Sequence, residues 1–182
     1  MITLLKRQLK GNGRFGKYFQ VSSTRGVKIV GRGFKSKKRL LNSQQVVMAS
    51  KEATFLKLAE KSKVSPLFHD LTIAKYKGKY YPAIVMEHIS GIRAYDYSDE
   101  VFKVGSKGKI SSKGKLAEKY IKSILSKQKI IHGDLHYNNM IVTKQNKVKA
   151  IDFSPDWIRF VGKKDYYMMI KNILLDKIRN NP

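Results

Sequence analysis

Apolar and polar positions alternate in short runs through the first part of the chain, a pattern typical of antiparallel strands. Two strand-like runs, 17–22 and 27–30, flank the turn-like segment 23–26. Residues 43–61 then change to a helical pattern, because their apolar side chains recur on one side of a helix. These side chains include Ala53, Leu56 and Ala59. We therefore expect a hairpin followed by an amphipathic helix.

A polar segment and two further strands are predicted in the second half of the chain. A helix-like run ends at 129–131, and the polar residues 132–138 follow it. Two short apolar runs, 140–142 and 148–151, then flank the turn-like segment 144–147. This pattern predicts a second hairpin.

Residues with catalytic chemistry surround this second hairpin. Asp134 lies two residues after His132, Asn139 lies five residues after Asp134, and Asp152 lies thirteen residues after Asn139. The hairpin would bring Asn139 and Asp152 to the same end. Asp134 could accept the proton of an attacking hydroxyl, and the hard oxygens of Asn139 and Asp152 suit magnesium. The alternative is a polar loop followed by an ordinary hairpin.

A glycine-rich segment precedes the first strand pair. Gly11, Gly13 and Gly16 have the spacing G-x-G-x-x-G. Such a tip between two strands could lay backbone N–H groups over phosphates, and Lys28 on the next strand would reach them. A dinucleotide site fits poorly, because no helical pattern follows the glycines. The alternative for Lys28 is a solvated strand lysine in a lysine-rich chain.

Taken in order along the chain, these residues resemble the protein-kinase superfamily, and the resemblance covers nearly the whole sequence. It implies that the glycine-rich segment covers a nucleotide, that Lys28 binds phosphate and that Asp134 is the catalytic aspartate. It also implies that Asn139 and Asp152 bind metal. The implied cofactors are ATP and Mg²⁺.

Two further parts of the kinase pattern have counterparts here. Glu52, in the predicted helix, resembles the glutamate that pairs with Lys28, whereas the alternative is a surface charge on an amphipathic helix. Residues 83–91 resemble the strand and hinge that cradle adenine. The resemblance implies adenine contacts from the backbone of Glu87 and Ile89.

The catalytic motifs depart from those of conventional kinases. The segment His132-Gly133-Asp134 lacks the arginine that pairs with a phosphorylated activation loop, and Ser154 replaces the glycine that follows Asp152-Phe153. Ten residues separate Ser154 from Asp165, and one more helical segment is predicted at 166–178. Control by phosphorylation of an activation loop is therefore not expected.

The closer resemblance is to small atypical kinases with the sequence HGDL: RIO and KEOPS-associated kinases, lipopolysaccharide-core sugar kinases and minimal kinases of bacterial pathogens. It implies an α+β fold, a minimal bilobal kinase-like domain. Its N-lobe, residues 1–90, would hold an antiparallel sheet and one helix, and residues 91–182 would form a reduced helical C-lobe. The implied activity is ATP- and magnesium-dependent phosphate transfer, with a protein Ser or Thr as the preferred acceptor. The alternatives are a lipopolysaccharide-core sugar kinase and a catalytically silent binding module.

Charge adds an expectation about partners. The chain has 38 Lys and Arg against 13 Asp and Glu, a net charge of +25, with basic clusters at 32–39 and at 103–115, before a helix predicted at 115–127. Such a field attracts anionic molecules. The candidates are an acidic protein, an RNA-containing particle or lipopolysaccharide. The alternative is that the charge reflects a proteome in which all proteins are rich in lysine, and not an anionic partner.

Composition also limits the class of protein. The chain has no cysteine, which excludes disulfides and thiol catalysis. No apolar run has membrane-spanning length, and the first ten residues do not resemble a secretory signal. We expect a cytoplasmic protein, with export into a host cell as the alternative. The pattern does not determine the oligomeric state.

Overall fold

The structure, a computed structural model, describes residues 1–13, 16–30, 43–94, 112–153 and 158–160. The basic cluster 32–39, most of the cluster 103–115, Ser154 and the predicted terminal helix 166–178 lie outside the described residues.

The described residues fall into two compact units. The first unit includes the described residues up to Thr54 and the stretch Leu67–His88, and the second includes Phe55–Pro66 and the described residues between Ile89 and Phe160. The predicted lobe boundary between residues 90 and 91 stays a prediction.

A six-stranded sheet forms most of the first unit, with strand order β1-β5-β6-β4-β3-β2. Strand β1 pairs parallel with β5, and the other neighbours pair antiparallel. The strands are β1 (Ile2–Leu4), β2 (Leu9–Gly13), β3 (Gly16–Gln20), β4 (Arg25–Val30), β5 (Phe68–Tyr76) and β6 (Lys79–Glu87).

The two faces of this sheet have different roles. Phe19 pairs with Val27, and Val27 pairs with Val85, so these three side chains lie on one face. They are part of the buried apolar core of the unit. Tyr18, Lys28 and Ile84 pair in the same way and lie on the opposite face. Lys28 therefore projects from the face opposite this cluster, where the apolar residue Ile84 is also buried.

The buried side of helix α1 (Ser43–Ala59) includes polar residues as well as apolar ones. The apolar residues Val46, Ala49, Ala53, Leu56 and Ala59 are buried at helical spacing, as predicted. Glu52 is buried as well. A 3₁₀ turn at Glu60–Ser62 follows, and Lys63, in the left-handed conformation with φ 60°, ends it.

The second unit contains short sheets and one described helix. Its elements are β7 (Gly91–Arg93), α2 (Ser112–Lys127), β8 (Ile130–His132), β9 (Met140–Thr143), β10 (Val148–Ala150) and β11 (Ile158–Phe160). Strands β10, β9 and β7 form one sheet, and β11 pairs with β8. The predicted hairpin is β9–β10, and Asn146 in its turn adopts the left-handed conformation with φ 56°.

The prediction that a helix ends at 129–131 is wrong. Helix α2 ends at Lys127, and Lys129 has a left-handed φ of 59°, which turns the chain out of the helix. Ile130 and His132 are buried while Ile131 is exposed, the alternation of a strand that has one buried face.

The predicted α+β class, a minimal kinase-like fold, is confirmed by the antiparallel-rich N-terminal sheet with α1 and by the small second unit. Across the parts of the chain described here, no helix combines the length and apolar character needed to cross a membrane.

Candidate active site

The glycine-rich segment forms a hairpin. Strands β2 and β3 pair up to Gly13 and Gly16, which face each other across residues 14–15. A Cβ atom on Gly16 would lie 2.4 Å from the carbonyl oxygen of Ile29 on β4, so no larger residue fits at this position. Gly11 pairs with Tyr18 further from the tip. The antiparallel pairing of β2 with β3 agrees with the expected pair of strands around the glycine-rich segment. Phosphate binding by Gly11, Gly13 and Gly16 stays a prediction.

Lys28 and Glu52 form an ion pair in the first unit. The Lys28 Nζ atom lies 2.5 Å from Glu52 Oε1. Glu52 is only 2% exposed, and 13% of the Lys28 side chain is exposed. Neither residue is therefore the solvated surface charge that the sequence left as an alternative.

Hydrogen bonds fix the segment that follows β6. The backbone N–H of Glu87 donates to the carbonyl of Leu67 at 2.8 Å, and the Glu87 carboxylate accepts from the Leu67 N–H at 3.1 Å. The backbone N–H of His88 donates to the carbonyl of Thr24 at 2.8 Å. In the second unit, Ile89 is buried. Adenine contacts from Glu87 and Ile89 stay predictions.

The second unit places Asn139 against Asp134. The amide nitrogen of Asn139 donates to the backbone carbonyl of Asp134 at 2.9 Å and to its carboxylate at 3.1 Å. Asn139 is buried, whereas Asp134 is partly exposed. The amide nitrogen of Asn139 therefore faces Asp134, and its amide oxygen points away from Asp134. The Asp134 carboxylate remains accessible to solvent.

The hairpin brings Asp152 close to Asn139, as the sequence predicted. Ala150 pairs with Met140, and the N–H of Ile151 donates to the carbonyl of Asn139 at 2.8 Å. Asp152 follows directly, with a left-handed φ of 61°. That conformation is costly for a residue with a Cβ atom, and such strain is concentrated at functional sites.

The donor set fits magnesium. One carboxylate and one amide oxygen are hard ligands, and Mg²⁺ takes few protein ligands beside phosphate and water oxygens. Among the described residues, no group of three or more His, Cys, Asp or Glu could hold a metal ion. Asn139 and Asp152 are therefore suited to a cation that arrives with phosphates.

His132 is buried beside this pair. Its Nε2 atom donates to the carbonyl of Ile151 at 3.2 Å, and its ring contacts Phe153 edge-to-face, with the centroids 5.1 Å apart. Burial lowers the pKa of His132, although the bond to Ile151 and the charges of Asp152 and Asp134 oppose this. His132 is therefore a neutral structural residue at physiological pH.

Sequence reasoning missed His136. Its Nδ1 atom accepts the backbone N–H of Asn138 at 3.2 Å, which leaves the proton on Nε2. Nε2 lies 3.5 Å from the second carboxylate oxygen of Asp134. The sequence signal that could have indicated this role is its position two residues after Asp134. His136 is the N-cap residue of the 3₁₀ turn Tyr137–Asn139, which carries Asn139.

Comparisons with known proteins agree with these features. A family model described as the RIO domain matches residues 21–156, more than half of the chain. Among solved structures, a crystal structure of WbdD matches with a TM-score of 0.53 and 18% identity, over 82% of this chain and 31% of that one. A co-crystal structure of WbdD and the kinase inhibitor LY294002 matches with a TM-score of 0.54 and 16% identity, over 96% and 38%.

Identities this low show a similar fold alone. The chain spans about a third of the length of these WbdD chains.

Proposed function

Because the chain belongs to the RIO-domain family, we propose that it is an atypical kinase that transfers the γ-phosphate of ATP to a hydroxyl group. The observation that carries this proposal is the arrangement in the second unit. An accessible aspartate, Asp134, is held by Asn139, and Asn139 is joined through Ile151 to the strained Asp152.

Each residue then has a chemical role. Asp134 accepts the proton of the acceptor hydroxyl while the hydroxyl oxygen bonds to the γ-phosphorus and the bond to ADP breaks. Asn139 and Asp152 would hold Mg²⁺, whose charge would offset that of the phosphates. Lys28 would donate to phosphate oxygens, and its ion pair with Glu52 keeps the ammonium group in one position. His136 Nε2 would help to orient the Asp134 carboxylate.

We propose a protein Ser or Thr as the acceptor. The net charge of +25 favours an acidic protein, because a positive field speeds encounter with anionic partners. The absence of cysteine suits a cytoplasmic protein.

The test measures phosphate transfer from labelled ATP by wild-type protein, Asp134→Asn and a control variant, Asp70→Asn. Asp70 lies on β5, outside the proposed machinery. The acceptors are an acidic protein, a basic protein and deacylated lipopolysaccharide. We expect label on the acidic protein and a loss of about 10²–10⁴-fold in Asp134→Asn, the usual effect of losing a general base. The Asp70→Asn variant should keep wild-type turnover.

Three results would count against parts of the proposal. Equal turnover by Asp134→Asn and wild type would refute the role of Asp134. Label on lipopolysaccharide alone would replace the protein acceptor by a sugar. Wild-type protein that binds no nucleotide would support a silent binding module.

A further inference from the structure

Tyr18 on β3 lies across Gly26 on β4. A Cβ atom built on Gly26 would be 1.9 Å from the Tyr18 hydroxyl oxygen and 2.4 Å from the ring carbon that carries it. No side chain larger than hydrogen fits under that ring. A glycine inside a strand often marks such a close approach, and at Gly26 the approaching group is an aromatic side chain.

The ring is held in place at its hydroxyl end. The Tyr18 hydroxyl lies 2.9 Å from Nδ1 of His88. Burial, and to a lesser extent the charge of Glu87, raises the pKa of Tyr18 to about 12, so the hydroxyl keeps its proton and donates. Burial, and to a lesser extent Lys10, lowers the pKa of His88, which keeps its ring neutral and able to accept.

Tyr18 shares a sheet face with Lys28. The two residues are directly paired, so their side chains project from the same side of the sheet. Gly26 lies two residues from Lys28 on the same strand, about 7 Å away along the strand, and in the direction away from the glycine-rich tip. The order along this face is therefore glycine-rich tip, lysine, aromatic ring.

That order matches the parts of a nucleotide. If the phosphates bind at the tip and at Lys28, the base extends toward Gly26, where the Tyr18 ring lies. Tyr18 is only partly buried, so ring surface stays accessible. A flat base binds well to an aromatic face, and a ring fixed in advance loses little entropy when it binds.

We propose that Tyr18 is the base-binding residue of the nucleotide site, with its ring laid over Gly26 and held by His88 to stack on the base of ATP. This role deepens the proposed phosphotransferase function and rests on it. Tyr18 would then contribute affinity for the base and none for the phosphates.

The experiment measures equilibrium binding of ATP and of inorganic tripolyphosphate, each with magnesium, by calorimetry. Tyr18→Ala should weaken ATP binding about 5- to 150-fold, the usual effect of losing one base–aromatic stack. Its binding of tripolyphosphate, which has no base, should be unchanged. Tyr18→Phe keeps the ring and should keep ATP affinity within about threefold, since base stacking needs only the ring. The control is Tyr80→Ala, at the far end of β6 from Glu87.

A second pair of variants tests the geometry of the ring. Gly26→Ala should displace the Tyr18 ring and weaken ATP binding in the wild-type background. In the Tyr18→Ala background, the same change should have no further effect, because the colliding ring is gone. Circular dichroism of each variant shows whether the fold is kept.

The outcomes separate this role from the function itself. If Tyr18→Ala binds ATP as tightly as wild type, or loses tripolyphosphate and ATP binding equally, the base-binding role is refuted and the kinase proposal stands. If wild-type protein binds tripolyphosphate but gains nothing from the base of ATP, the base-binding role is refuted too. A wild type that binds neither ligand overturns both proposals.

Discussion

The ion pair between Lys28 and Glu52 predicts a large and specific effect on stability. Both groups are removed from water, since Glu52 is 2% exposed and the Lys28 side chain 13%. Removing one partner of a buried pair takes away the charge that offsets the other, which typically costs about 3–5 kcal/mol of unfolding free energy. In a chain of this size each kcal/mol lowers Tm by about 2–4 °C, so Glu52→Ala should lower Tm by about 6–20 °C.

The double variant gives the sharper result. Lys28→Met should destabilise the protein by a similar amount, because it removes the ammonium group that contacts the buried Glu52 carboxylate. Lys28→Met combined with Glu52→Leu should recover most of the loss, since apolar residues of similar volume often replace a buried ion pair at little cost. The two single effects would then fail to add.

Urea unfolding followed by circular dichroism measures wild type, Glu52→Ala, Lys28→Met, Glu52→Leu and the double variant. An exposed pair on α2, Glu118 with Lys122, provides the control. Glu118→Ala should cost only about 0.3–0.5 kcal/mol, the usual value for a helix pair four residues apart. The reasoning is refuted if Glu52→Ala costs no more than Glu118→Ala, or if the effects of Lys28→Met and Glu52→Leu add in the double variant.

Three further predictions concern metal, pH and charge. ATP should raise Tm more with magnesium than with EDTA, and Asp152→Ala should abolish that difference; a variant that keeps it would show that the metal is bound elsewhere. Because burial lowers the pKa of His132 below its usual 6.5, the unfolded chain takes up a proton that the folded chain refuses. Wild type should therefore lose stability as pH falls below about 6.5, by up to about 1.4 kcal/mol per pH unit, and His132→Phe should lose less; equal pH slopes in urea unfolding would contradict this. Replacing four lysines of the 103–115 cluster by Gln should raise KM for an anionic acceptor and flatten its salt dependence while kcat stays unchanged; unchanged KM at low salt would exclude this cluster from acceptor binding. The four are Lys107, Lys109, Lys113 and Lys115.

Local patterns allowed much of the fold to be predicted. The β9–β10 hairpin follows from two apolar runs and a short polar turn, and its register places Asn139 near Asp152. Helix α1 follows from the 3.6-residue spacing of its apolar side chains, which also places Glu52 on a definite side of the helix. These features depend on neighbours in sequence, which a pattern can show.

Features that depend on distant residues could not be predicted in this way. Strand β1 pairs with β5, so Ile2 lies beside Ala74, a residue far away along the chain. The contact of Tyr18 with Gly26 requires the register of β3 against β4, and its bond to His88 requires a residue seventy positions away. The pattern at 129–131 predicts the end of a helix, whereas Ile130–His132 form a strand, because the pairing with β11 cannot be read from local sequence.

The sequence predicts Asp152 as a site residue, but it does not predict the left-handed backbone conformation of Asp152. A left-handed φ costs about 1–3 kcal/mol for a residue other than glycine, so the surrounding structure must hold it. Both backbone groups of Ile151, immediately before Asp152, are hydrogen-bonded: the N–H to Asn139 and the carbonyl to His132. Phe153, immediately after it, is buried against the His132 ring.

Two neighbours of Asp152 are thus fixed by residues outside the hairpin strands, and His132 contacts both of them. Its neutral ring, with the proton on Nε2, is the form that can donate to Ile151, and burial favours that form. A protonated His132 would place an unpaired N–H at Nδ1, which is buried and has no hydrogen-bond partner among the described residues. His132 therefore supports the site by holding the backbone on both sides of Asp152, and Asp134, whose carboxylate is accessible, remains the residue that we propose as the proton acceptor.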